Sequence, residues 1–577
     1  MDSAAKTPAQ PATPKLTPVE GFKEQSRLLR GSIALELADG ADHFTEANKQ
    51  LLKFHGTYQQ EDRDARKNRS KAGVGKHHMF MVRCKIPGGR LTSAQYLAVD
   101  DLASKFANGT LRFTTRQGIQ LHGVLKDNLK AAIAGINECL LTTLGACGDV
   151  SRNVMACPAP LHKSVRGELQ QAAETLAAHL APRSLAYHEI WLDGKQQDGP
   201  EPDVEPLYGK TYLPRKFKIG FAPADDNCVD VYAQDLGFLA IAEKCQLVGY
   251  NALVGGGMGM THGNANTFPH LAVPICFVAK ADLVPFTEAV VRLFRDHGNR
   301  TDRKRARIKY LVHDWGVERF REELAKYVGQ PLVLPRPVDV SGCDAHVGWH
   351  DQGDSLGFYG VSVENGRVKD QDNFRLRSAL RLIITQLQPE LRITPMQDLL
   401  LCNLPATARS FIEQTLTSHG VQLPNLVSEV RKHSLACPAV PTCGLAISES
   451  ERVLPALIDQ LEETLHRLGL AEEVLSVRMT GCPNGCARPY QSDIGLVGRS
   501  GDKYSVFVGG RLLGDRLNFL LCDLVPMAQI IPTLEPLLSY YQSNRLQPES
   551  FGEFCQRLGH EALQTLLPAE RLAVKAH

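Results

Sequence analysis

The chain has 577 residues, of which 43% are hydrophobic and 22% charged, the ordinary composition of a globular protein with room for several cores. Its 65 Lys and Arg residues balance 63 Asp and Glu residues, and the net charge of +2 excludes the strong basic field of a nucleic-acid-binding or membrane-surface protein. No apolar run approaches the ~18 residues of a spanning helix, so we expect neither a membrane nor a nucleic acid as partner.

The chain begins with a stretch rich in Ala, Pro and Thr, residues 1–20, which lacks the apolar segment of a secretory signal and the arginines of a transit peptide. We therefore predict a disordered lead-in, an N-terminal arm over residues 21–75 and a cytoplasmic location. Fifteen cysteines in such a chain do not indicate a disulfide framework. Most of them are expected to be small buried thiols.

Several basic residues in the first half lie at positions where the alternation of side chains along a predicted strand indicates a buried face. Arg83 lies inside the strand-like run FMVRCKI, and Arg152 follows in GDVSRNV. In YLPRKFKIGF, Lys216 and Lys218 fall on one face of a predicted strand. A further basic run spans residues 299–310, for which a solvated face is the simpler interpretation. Cations gathered in an apolar frame repel one another, so the pattern predicts a bound anion, either a small oxyanion or a polycarboxylate cofactor.

Four cysteines in the second half have spacings that set them apart. The first pair is Cys437-x5-Cys443, and Cys482-x3-Cys486 follows after a predicted helix. Neighbouring prolines stiffen these loops, and glycines allow close backbone approach. Zinc sites usually present paired Cys-x2-Cys knuckles, whereas wide, unequal spacings suit the corners of a 4Fe–4S cluster. The spacing alone leaves three interpretations open: a cluster, a zinc site or unrelated buried thiols.

An apolar face of helical period predicts a helix between the two cysteine pairs, ended by Gly469. Ser448 and Glu451 have the spacing of a capping box, and Pro455 would kink the helix or delay its start. We expect the positive end of this helix near Cys443, where it would stabilise an anionic centre.

Short matches between the two halves of the chain predict an internal duplication. They occur in the same order in both halves, at residues 88–91 and 365–368, 112–121 and 392–401, 156–159 and 436–439, and 254–259 and 508–514. Coincidence among short matches is the alternative. In this alignment Arg83 stands opposite about Gly360, so the fold itself does not require the charge. Duplicated halves usually pack about a pseudo-twofold axis with a site at their junction, and strand-like runs between helical stretches make each half α+β.

Seven motifs together make the chain resemble the sulfite/nitrite reductase hemoproteins over about residues 24–514. The motifs are FHGTYQQEDRD, RFTTRQGIQLHG, LGACGDVSRNV, YLPRKFK, NALVGGGMG, CPAVPTC and TGCPNGCARPY. The resemblance implies an α+β fold, internally duplicated and pseudo-twofold, with ferredoxin-like half-domains and mixed α/β domains. It implies paired half-domains at 76–158 and 345–425, an α/β domain at 159–344 with basic substrate and siroheme contacts, and an α/β domain at 426–577 with the cluster cysteines.

The resemblance also implies the cofactors, a siroheme and a 4Fe–4S cluster, and the residues that hold them. The cluster ligands fall on Cys437, Cys443, Cys482 and Cys486, of which Cys486 is also the axial ligand of the siroheme iron. The catalytic, substrate-binding cations fall on Arg83, Arg152, Lys216 and Lys218. Further siroheme contacts are expected from Arg116, Gln120, His122, Arg215, Lys304, Gln397 and Asn484. For His122 a satisfied core histidine is an equal alternative.

The implied activity is that of an assimilatory sulfite reductase, which reduces sulfite to sulfide with six electrons passed through the cluster. Nitrite reductase on the same scaffold is the first alternative. The nitrite branch typically has asparagine where this chain keeps Lys218, which favours sulfite. A non-catalytic iron–sulfur or zinc protein is the second alternative.

The electron donor is expected to be a separate protein, because the chain has no flavin- or nicotinamide-binding motif. The motifs resemble the ferredoxin-dependent branch more than the branch that docks to a flavoprotein subunit. Some relatives join a cysteine to a tyrosine near the active site. The run HHMFMVRC offers no tyrosine to Cys157, so no crosslink is expected here.

Overall fold

The structure, a computed structural model, describes residues 15–162, 164–183, 190–192, 195–197 and 205–567. Residues 1–14 of the expected disordered lead-in lie outside this part. The end of that lead-in is helical, because the first helix begins at Pro18. Glu20 and Lys23 on this helix are both buried and form an ion pair at 2.6 Å. The arm is therefore anchored to the body of the protein from its first helix onward.

The described residues form sixteen α-helices. In chain order they are α1 (Pro18–Glu24), α2 (Ile33–Leu37), α3 (Glu46–Leu51), α4 (Arg66–Lys71), α5 (Ser93–Phe106), α6 (Leu129–Glu138), α7 (Arg166–His179), α8 (Leu283–His297), α9 (Ile308–Trp315), α10 (Val317–Val328), α11 (Leu376–Leu387), α12 (Ala408–Ser418), α13 (Glu429–Lys432), α14 (Leu454–Arg467), α15 (Ile530–Asn544) and α16 (Phe551–Thr565). None of them is long and apolar enough to cross a lipid bilayer.

The same part of the chain forms twenty-four strands. They are β1 (Thr57–Glu61), β2 (His78–Arg83), β3 (Arg90–Leu91), β4 (Leu111–Phe113), β5 (Ile119–Val124), β6 (Met155–Ala156), β7 (Ile190–Leu192), β8 (Lys195–Gln197), β9 (Ile219–Ala222), β10 (Leu236–Glu243), β11 (Gln246–Val254), β12 (Val273–Ala279), β13 (Gly348–Asp351), β14 (Gly357–Val361), β15 (Arg367–Val368), β16 (Asp370–Gln371), β17 (Phe374–Arg375), β18 (Glu390–Ile393), β19 (Leu399–Leu404), β20 (Ser434–Ala436), β21 (Val477–Thr480), β22 (Ile494–Ser500), β23 (Lys503–Val508) and β24 (Phe519–Pro526).

Two antiparallel five-stranded sheets exchange strands between the halves of the chain. Their orders are β1-β2-β5-β4-β15 and β13-β14-β19-β18-β3. Strand β15 of the second half pairs with β4 of the first, through Arg367 and Arg112. Reciprocally, β3 of the first half pairs with β18 of the second, through Arg90 and Arg392. The exchange relates the halves by a pseudo-twofold axis and confirms the predicted duplication.

The strand pairing also confirms the expected counterpart of the buried arginine. Arg83 on β2 lies opposite Gln120, and Gly360 on β14 lies opposite Leu400. Gln120 and Leu400 occupy equal positions in the two halves, within the repeated runs at 112–121 and 392–401. The same backbone position therefore carries a guanidinium in one half and no side chain in the other.

Two mixed sheets form a second related pair, with the orders β12-β11-β10-β9-β6 and β20-β21-β22-β23-β24. In each sheet the three strands at one side are parallel and the remaining pairs are antiparallel. Leu236 pairs with Ile219 in the first sheet, and Ile494 pairs with Val477 in the second. Equal numbers of residues separate the members of both pairs, so the loops that join the two parallel strands are also equal in length.

Each part of the duplicated fold has an apolar core. The largest core packs α7, α8, α9 and α10 against the sheet that contains β9–β12, and β10 is buried on both faces from Leu236 to Ile241. A second core lies between the strand-exchanged sheets and contains residues of both halves, and a third fills residues 430–567. Strands covered on both faces carry near-continuous apolar runs, which accounts for the sequence of β10. The shared second core holds the halves together at the junction.

Candidate functional site

The four predicted cluster cysteines lie on loops that leave two parallel strands at the same edge of a sheet. Cys437 directly follows β20, and the loop after β21 carries Cys482 and Cys486. Because parallel strands end at a common edge, these loops meet there. Cys437 and Cys482 are buried and Cys443 is partly buried, whereas Cys486 is exposed. One of the four thiols thus faces away from the loop interior.

Glycine makes the close approach of these loops feasible. A Cβ atom on Gly481 would lie 2.4 Å from the carbonyl oxygen of Ser448, and one on Gly485 would lie 2.9 Å from that of Met258. Gly485 also has a left-handed φ of +61°. The cysteine loop of the second half therefore packs directly against a loop of the first.

The spacing of the four sulfurs discriminates between a zinc ion and a cluster. Four thiolates around one zinc ion lie about 3.8 Å apart, given a Zn–S distance of about 2.3 Å. In the described part of the chain, two groups of three or more possible ligands have all their ligand atoms within 4.8 Å, and neither group contains these cysteines. The wider arrangement disfavours a single zinc ion and suits a cluster, whose irons stand between the sulfurs.

The thiols need positive charge from a metal to become thiolates. Burial, and then the charge of Cys486, raises the pKa of the Cys482 thiol to about 12. The same two causes raise the pKa of Cys437 further. The backbone N–H of Gly481 donates to Cys437 Sγ, and the Asn484 amide donates to Cys482 Sγ, both at 3.4 Å. Asn484, an expected siroheme contact, thus also contacts an expected cluster ligand.

The helix between the cysteine pairs begins later than the capping-box pattern predicts. Helix α14 starts at Leu454 with Pro455 in its first turn, so the proline delays the helix and does not kink it. The predicted box of Ser448 and Glu451 does not form, because the Glu451 carboxylate instead binds Arg112 at 2.7 Å. This ion pair ties β4 of the first half to the cluster loop.

Lys216 and Lys218 alternate with buried Phe217 on the extended segment before β9, as predicted. The backbone N–H of Arg152 donates to the Phe217 carbonyl at 2.8 Å, which fixes Arg152 beside the two lysines. The Arg152 guanidinium is buried, and its Nε donates to the Gly148 carbonyl at 2.8 Å. Among the described residues, neither lysine ammonium group has a protein acceptor. Both remain available to a ligand.

The two lysines have strongly lowered pKa values. Burial, followed by the positive charges of Arg215 and Arg307, lowers the pKa of Lys216 from 10.5 to about 7. Burial and the charge of Lys216 lower the pKa of Lys218 well below 10.5. The charge of Cys486 acts in the opposite direction on Lys216, so the lysine lies within electrostatic range of the exposed thiol. An anion bound beside Lys216 and Lys218 would offset the repulsion among these positive charges.

Arg83 lies at the end of β2, in contact with two residues that the sequence reasoning missed. Its guanidinium donates to Cys147 Sγ at 2.9 Å and lies 5.9 Å from the ring centroid of Tyr58. Burial lowers its pKa, but Cys147, Tyr58 and Cys486 raise it on balance. With its amide oxygen turned toward the arginine, Gln120 accepts from Arg83 Nε at 3.1 Å. Tyr58 and Cys147 stand in two of the motifs that carry the family resemblance, and their positions there were the available signal.

The crosslink expectation considered a different cysteine. Cys157 lies ten residues after Cys147 in the sequence. Its sulfur donates to Asp226 at 2.9 Å. Cys147 is the cysteine that contacts the Arg83 guanidinium, which also lies over the ring of Tyr58. The absence of a crosslink stays a prediction.

Arg116 and His122 each offer a polar atom that the protein leaves unpaired. Arg116 donates to the Gln234 side chain at 2.8 Å and the Ile219 carbonyl at 3.0 Å, while its buried Nε has no partner among the described residues. Burial lowers the pKa of His122 well below 6.5, so its ring is neutral at pH 7. Its Nε2 contacts the Gln120 amide at 3.4 Å and its Nδ1 has no partner within the described chain.

The remaining expected siroheme contacts occupy different environments. Arg215 lies 3.8 Å from Asp149, and burial lowers its pKa to about 10. Gln397 is fully buried at the junction of the halves, where its amide donates to the Phe113 carbonyl at 3.2 Å. Lys304 is exposed. Of these three, Arg215 lies with the basic group around Lys216.

Two basic residues of the 299–310 run are buried, contrary to the solvated interpretation of that run. Arg307 forms two hydrogen bonds of 2.8 Å with Asp235, and Lys309 donates to the carbonyls of Gly257 and Gly259 at 3.0 and 2.7 Å. They flank Ile308 at the start of apolar helix α9, a position that could have identified them. Lys309 thereby holds the loop that packs on Gly485.

Contacts between the halves hold the backbone of the cysteine loops in place. The Thr115 hydroxyl donates to the Cys486 carbonyl at 3.2 Å, and Arg488 donates to the Thr115 carbonyl at 3.2 Å. Arg63 of the arm donates to the Cys443 carbonyl at 3.1 Å. The junction of a duplicated fold therefore combines a four-cysteine cluster site with a pocket of cations, which defines an iron–sulfur protein equipped to bind an oxyanion or a polycarboxylate.

The chain belongs to the nitrite and sulfite reductase family. Residues 171–332 and 430–576 match the model of the "Nitrite and sulphite reductase 4Fe-4S domain", and residues 74–139 match the "Nitrite/Sulfite reductase ferredoxin-like half domain". The sulfite reductase (NADPH) hemoprotein beta-component of Staphylococcus saprophyticus is 45% identical over 94% of this chain and 96% of its own. The sulfite reductase (ferredoxin) of Synechococcus elongatus is 42% identical over 96% of this chain and 91% of its own.

The fold also matches a solved structure. The NirA protein of Mycobacterium tuberculosis superimposes with a TM-score of 0.78, covering 95% of this chain and 98% of its own, at 23% sequence identity. Ferredoxin-like half-domains in a duplicated α+β chain are thus confirmed as the fold class.

The cofactors of this family are siroheme and a 4Fe–4S cluster, and the residues present fit both. Four thiols stand too far apart for one zinc ion, as a cluster requires. The buried Nε of Arg116 has no partner among the described residues, and a carboxylate of a siroheme would give it an acceptor. The electrostatics and the donor set thus agree with the family.

Proposed function

We propose that the protein is an assimilatory sulfite reductase that reduces sulfite to sulfide with six electrons. The observation that carries the proposal is the pocket of cations around Cys486, in which Arg83 and Lys216 both lie within electrostatic range of this one exposed thiol. Two lysines and two arginines suit a dianion better than a monoanion, because each added cation acts on twice the charge. The retention of Lys218 supports sulfite over nitrite.

When bound, the cofactors supply single electrons and an iron centre for the sulfur of the substrate. The protein supplies binding and protons. The guanidinium groups of Arg83 and Arg152 present forked donors that match an oxyanion, and they hold it in one orientation. Lys216, with a pKa of about 7, can gain and lose a proton at neutral pH and is placed to protonate a departing oxygen.

The role of Lys218 follows from its neighbours. Burial, followed by repulsion from Lys216, keeps its ammonium form unfavourable until an anion arrives. A dianion in the pocket therefore draws a proton onto Lys218 as it binds. The protein would then deliver two protons from one strand face to the substrate oxygens.

The activity is tested with the loaded protein and a chemical one-electron reductant. We expect sulfide from sulfite, a change in the visible spectrum on sulfite addition, and a higher specificity constant for sulfite than for nitrite. A higher specificity constant for nitrite would establish the alternative, nitrite reductase. A colourless protein without iron would leave only a non-catalytic function.

We further propose a ferredoxin as the electron donor. The relatives include an NADPH-type component and a ferredoxin-type enzyme at similar identity, so they do not discriminate between the two donors. The support for ferredoxin comes from the exposed residues near the cysteine loop. Helix α4 carries exposed Lys67 and Lys71, neither of which has an acidic partner in the described residues. It follows Arg63, which binds the cluster loop, and Leu445 on that loop is 68% exposed. Exposed lysines on the arm that contacts the cysteine loop, together with an exposed leucine on that loop, suit an acidic redox protein that must approach the cluster.

Charge reversal of this surface tests the donor. In Lys67→Glu/Lys71→Glu, we expect the KM for reduced ferredoxin to rise at least fivefold at low salt, while the rate with a small chemical reductant stays the same. Lys130→Glu on the exposed face of α6 is the matched control. Efficient turnover with an NADPH-dependent flavoprotein and none with ferredoxin would overturn this part. We also propose the domain boundaries given in the sequence analysis and a cytoplasmic location for the protein.

A further inference from the structure

A second group of metal-binding side chains lies at the pseudo-twofold counterpart of the cluster cysteines. Cys157 follows β6 as Cys437 follows β20, within the repeated sequence ACPA. The loops after β9 and β21 are equal in length between equally paired strands. Cys228 therefore occupies the same position in the first-half loop that Cys486 occupies in the second-half loop. Two of the four cluster-ligand positions therefore carry cysteine in both halves.

The backbone confirms this correspondence of loops. Asp230 and Arg488 occupy the same place in the two loops, and both have left-handed φ values, +49° and +57°. A short 3-10 turn follows each of them, Val231–Ala233 in one loop and Pro489–Gln491 in the other. The two side chains also form an ion pair with each other. The pseudo-twofold axis thus passes between them.

The group in the first half is compact, unlike the cluster site. Cys157, Asp226, Cys228 and His346 are all buried, and their ligand atoms all lie within 4.8 Å of one another. Cys157 Sγ lies 2.9 Å from Asp226 Oδ2 and 3.9 Å from His346 Nε2, and the last two atoms are 3.0 Å apart. Ligand atoms around a tetrahedral zinc ion lie about 3.3–3.8 Å apart. We propose that these four side chains bind one zinc ion in a closed structural site.

The loop chemistry favours zinc over a second cluster. Ala224 stands at the position of Cys482, and Asp226 stands at that of Asn484. The first half therefore has two thiols, a carboxylate and an imidazole in place of four thiols. Two sulfurs with one nitrogen and one oxygen form a donor set that zinc accepts in tetrahedral geometry and that a cubane cluster does not use.

Neighbouring groups orient the ligands and balance their charge. Asp226 Oδ1 accepts from the backbone N–H groups of Cys228 and Asp344, at 3.0 and 3.2 Å, which turns Oδ2 into the group. The backbone N–H of His346 donates to the Asp344 carboxylate at 2.7 Å. Two thiolates and one carboxylate exceed the charge of a divalent ion by one, and Arg166 lies 3.9 Å from Asp226 Oδ2 to offset it. Such support fixes ligand geometry in metal sites.

The zinc ion has a structural consequence for the site of the other half. It would join the end of β6, the loop after β9 and the segment before β13. That loop continues directly into Asp230, which pairs with Arg488 two residues beyond Cys486. The metal therefore fixes the first-half loop on which the cysteine loop of the second half rests.

Metal analysis of the complete, cofactor-loaded protein tests the proposal. After growth in zinc-supplemented medium, we expect about one zinc per chain in addition to the iron. Cys228→Ser is expected to lower the zinc content at least tenfold. Cys276→Ser is the matched control, since it removes a buried thiol from β12 that belongs to neither ligand group of the described chain. Zinc X-ray absorption of the unmodified protein should show two sulfurs at about 2.3 Å and two lighter ligands at about 2.0–2.1 Å.

Each result decides the proposal. A protein that carries no zinc overturns it, and so does zinc that survives in Cys228→Ser or that has a shell of four sulfurs, which would lie in the cluster site. If Cys228→Ser does not fold, the absorption spectrum of the unmodified protein decides alone. The outcome is independent of sulfite turnover.

Discussion

Gly485 gives the sharpest test of how the cysteine loop is positioned, because Gly444, which lies beside another of the four cysteines, provides a matched control. In Gly485→Ala the new Cβ would lie 2.9 Å from the Met258 carbonyl oxygen, at a left-handed φ of +61°. Left-handed backbone costs an alanine about 1–2 kcal/mol. A contact with backbone, which cannot rotate away, adds about 1–2 kcal/mol. We therefore expect a cost of about 2–4 kcal/mol.

The control is Gly444→Ala, beside Cys443. A Cβ there would meet nothing within 4 Å, and its φ is not left-handed. Alanine restricts the unfolded chain, so the expected change is neutral to stabilising by about 0.4–1 kcal/mol. Both variants add one methyl group next to a cluster cysteine, and they differ only in the space and backbone conformation available.

The assay compares siroheme and iron content with the unfolding midpoint. The strain in Gly485→Ala is relieved by moving Cys486 away from Met258, so we expect less siroheme per chain, a lower midpoint and a retained iron–sulfur signal. Gly444→Ala should match the unmodified protein in all three. If Gly485→Ala loads siroheme and unfolds as Gly444→Ala does, then close packing of these loops does not position the cysteine.

Other predictions concern the charges of the pocket and the exposed thiol. Because the pKa of Lys216 is about 7, its ammonium form is present below pH 7 and is lost as the pH rises. Binding of nitrite, an anion whose charge does not change in this range, should therefore weaken about fivefold from pH 7 to 8. Titration should show a flatter profile in Lys216→Gln. Lys218→Asn should raise the nitrite-to-sulfite ratio of specificity constants at least tenfold, and an unchanged ratio would remove the argument for sulfite. Cys486→Ser should abolish sulfide production and change the visible spectrum, whereas retained activity would contradict its role as a shared ligand. Asp235→Asn leaves buried Arg307 without a compensating negative charge and should cost about 3–5 kcal/mol, measured as a lower unfolding midpoint against the exposed control Asp314→Asn.

The sequence predicted the features that depend on local pattern. Alternation around Phe217 placed Lys216 and Lys218 on one face, and the repeats predicted a duplicated fold with Gly360 opposite Arg83. The exchange of β3 and β15 could not be predicted, because a two-residue strand has no periodicity and its partner lies in the other half. The burial of Arg307 was missed for a similar reason: its partner, Asp235, is distant in the sequence, and only the fold brings the two charges together.

Asymmetry between equivalent positions explains how a duplicated scaffold produces one reactive pocket. Where the first half has Arg83 and Lys218, the second has Gly360 and Ser476, and the pairing of β2, β5, β9 and β10 is matched in both halves. Cations on both sides of the axis would repel across the junction, and no exposed thiol would face them. With Arg83 and Lys218 in the first half alone, the pseudo-twofold axis brings these two cations toward the cysteine loop of the second half, around Cys486. The duplicated fold brings the cations and the cysteine loop together. Differences in a few side chains at equivalent positions keep the positive charges on one side, where an anionic substrate can bind, and the cluster on the other.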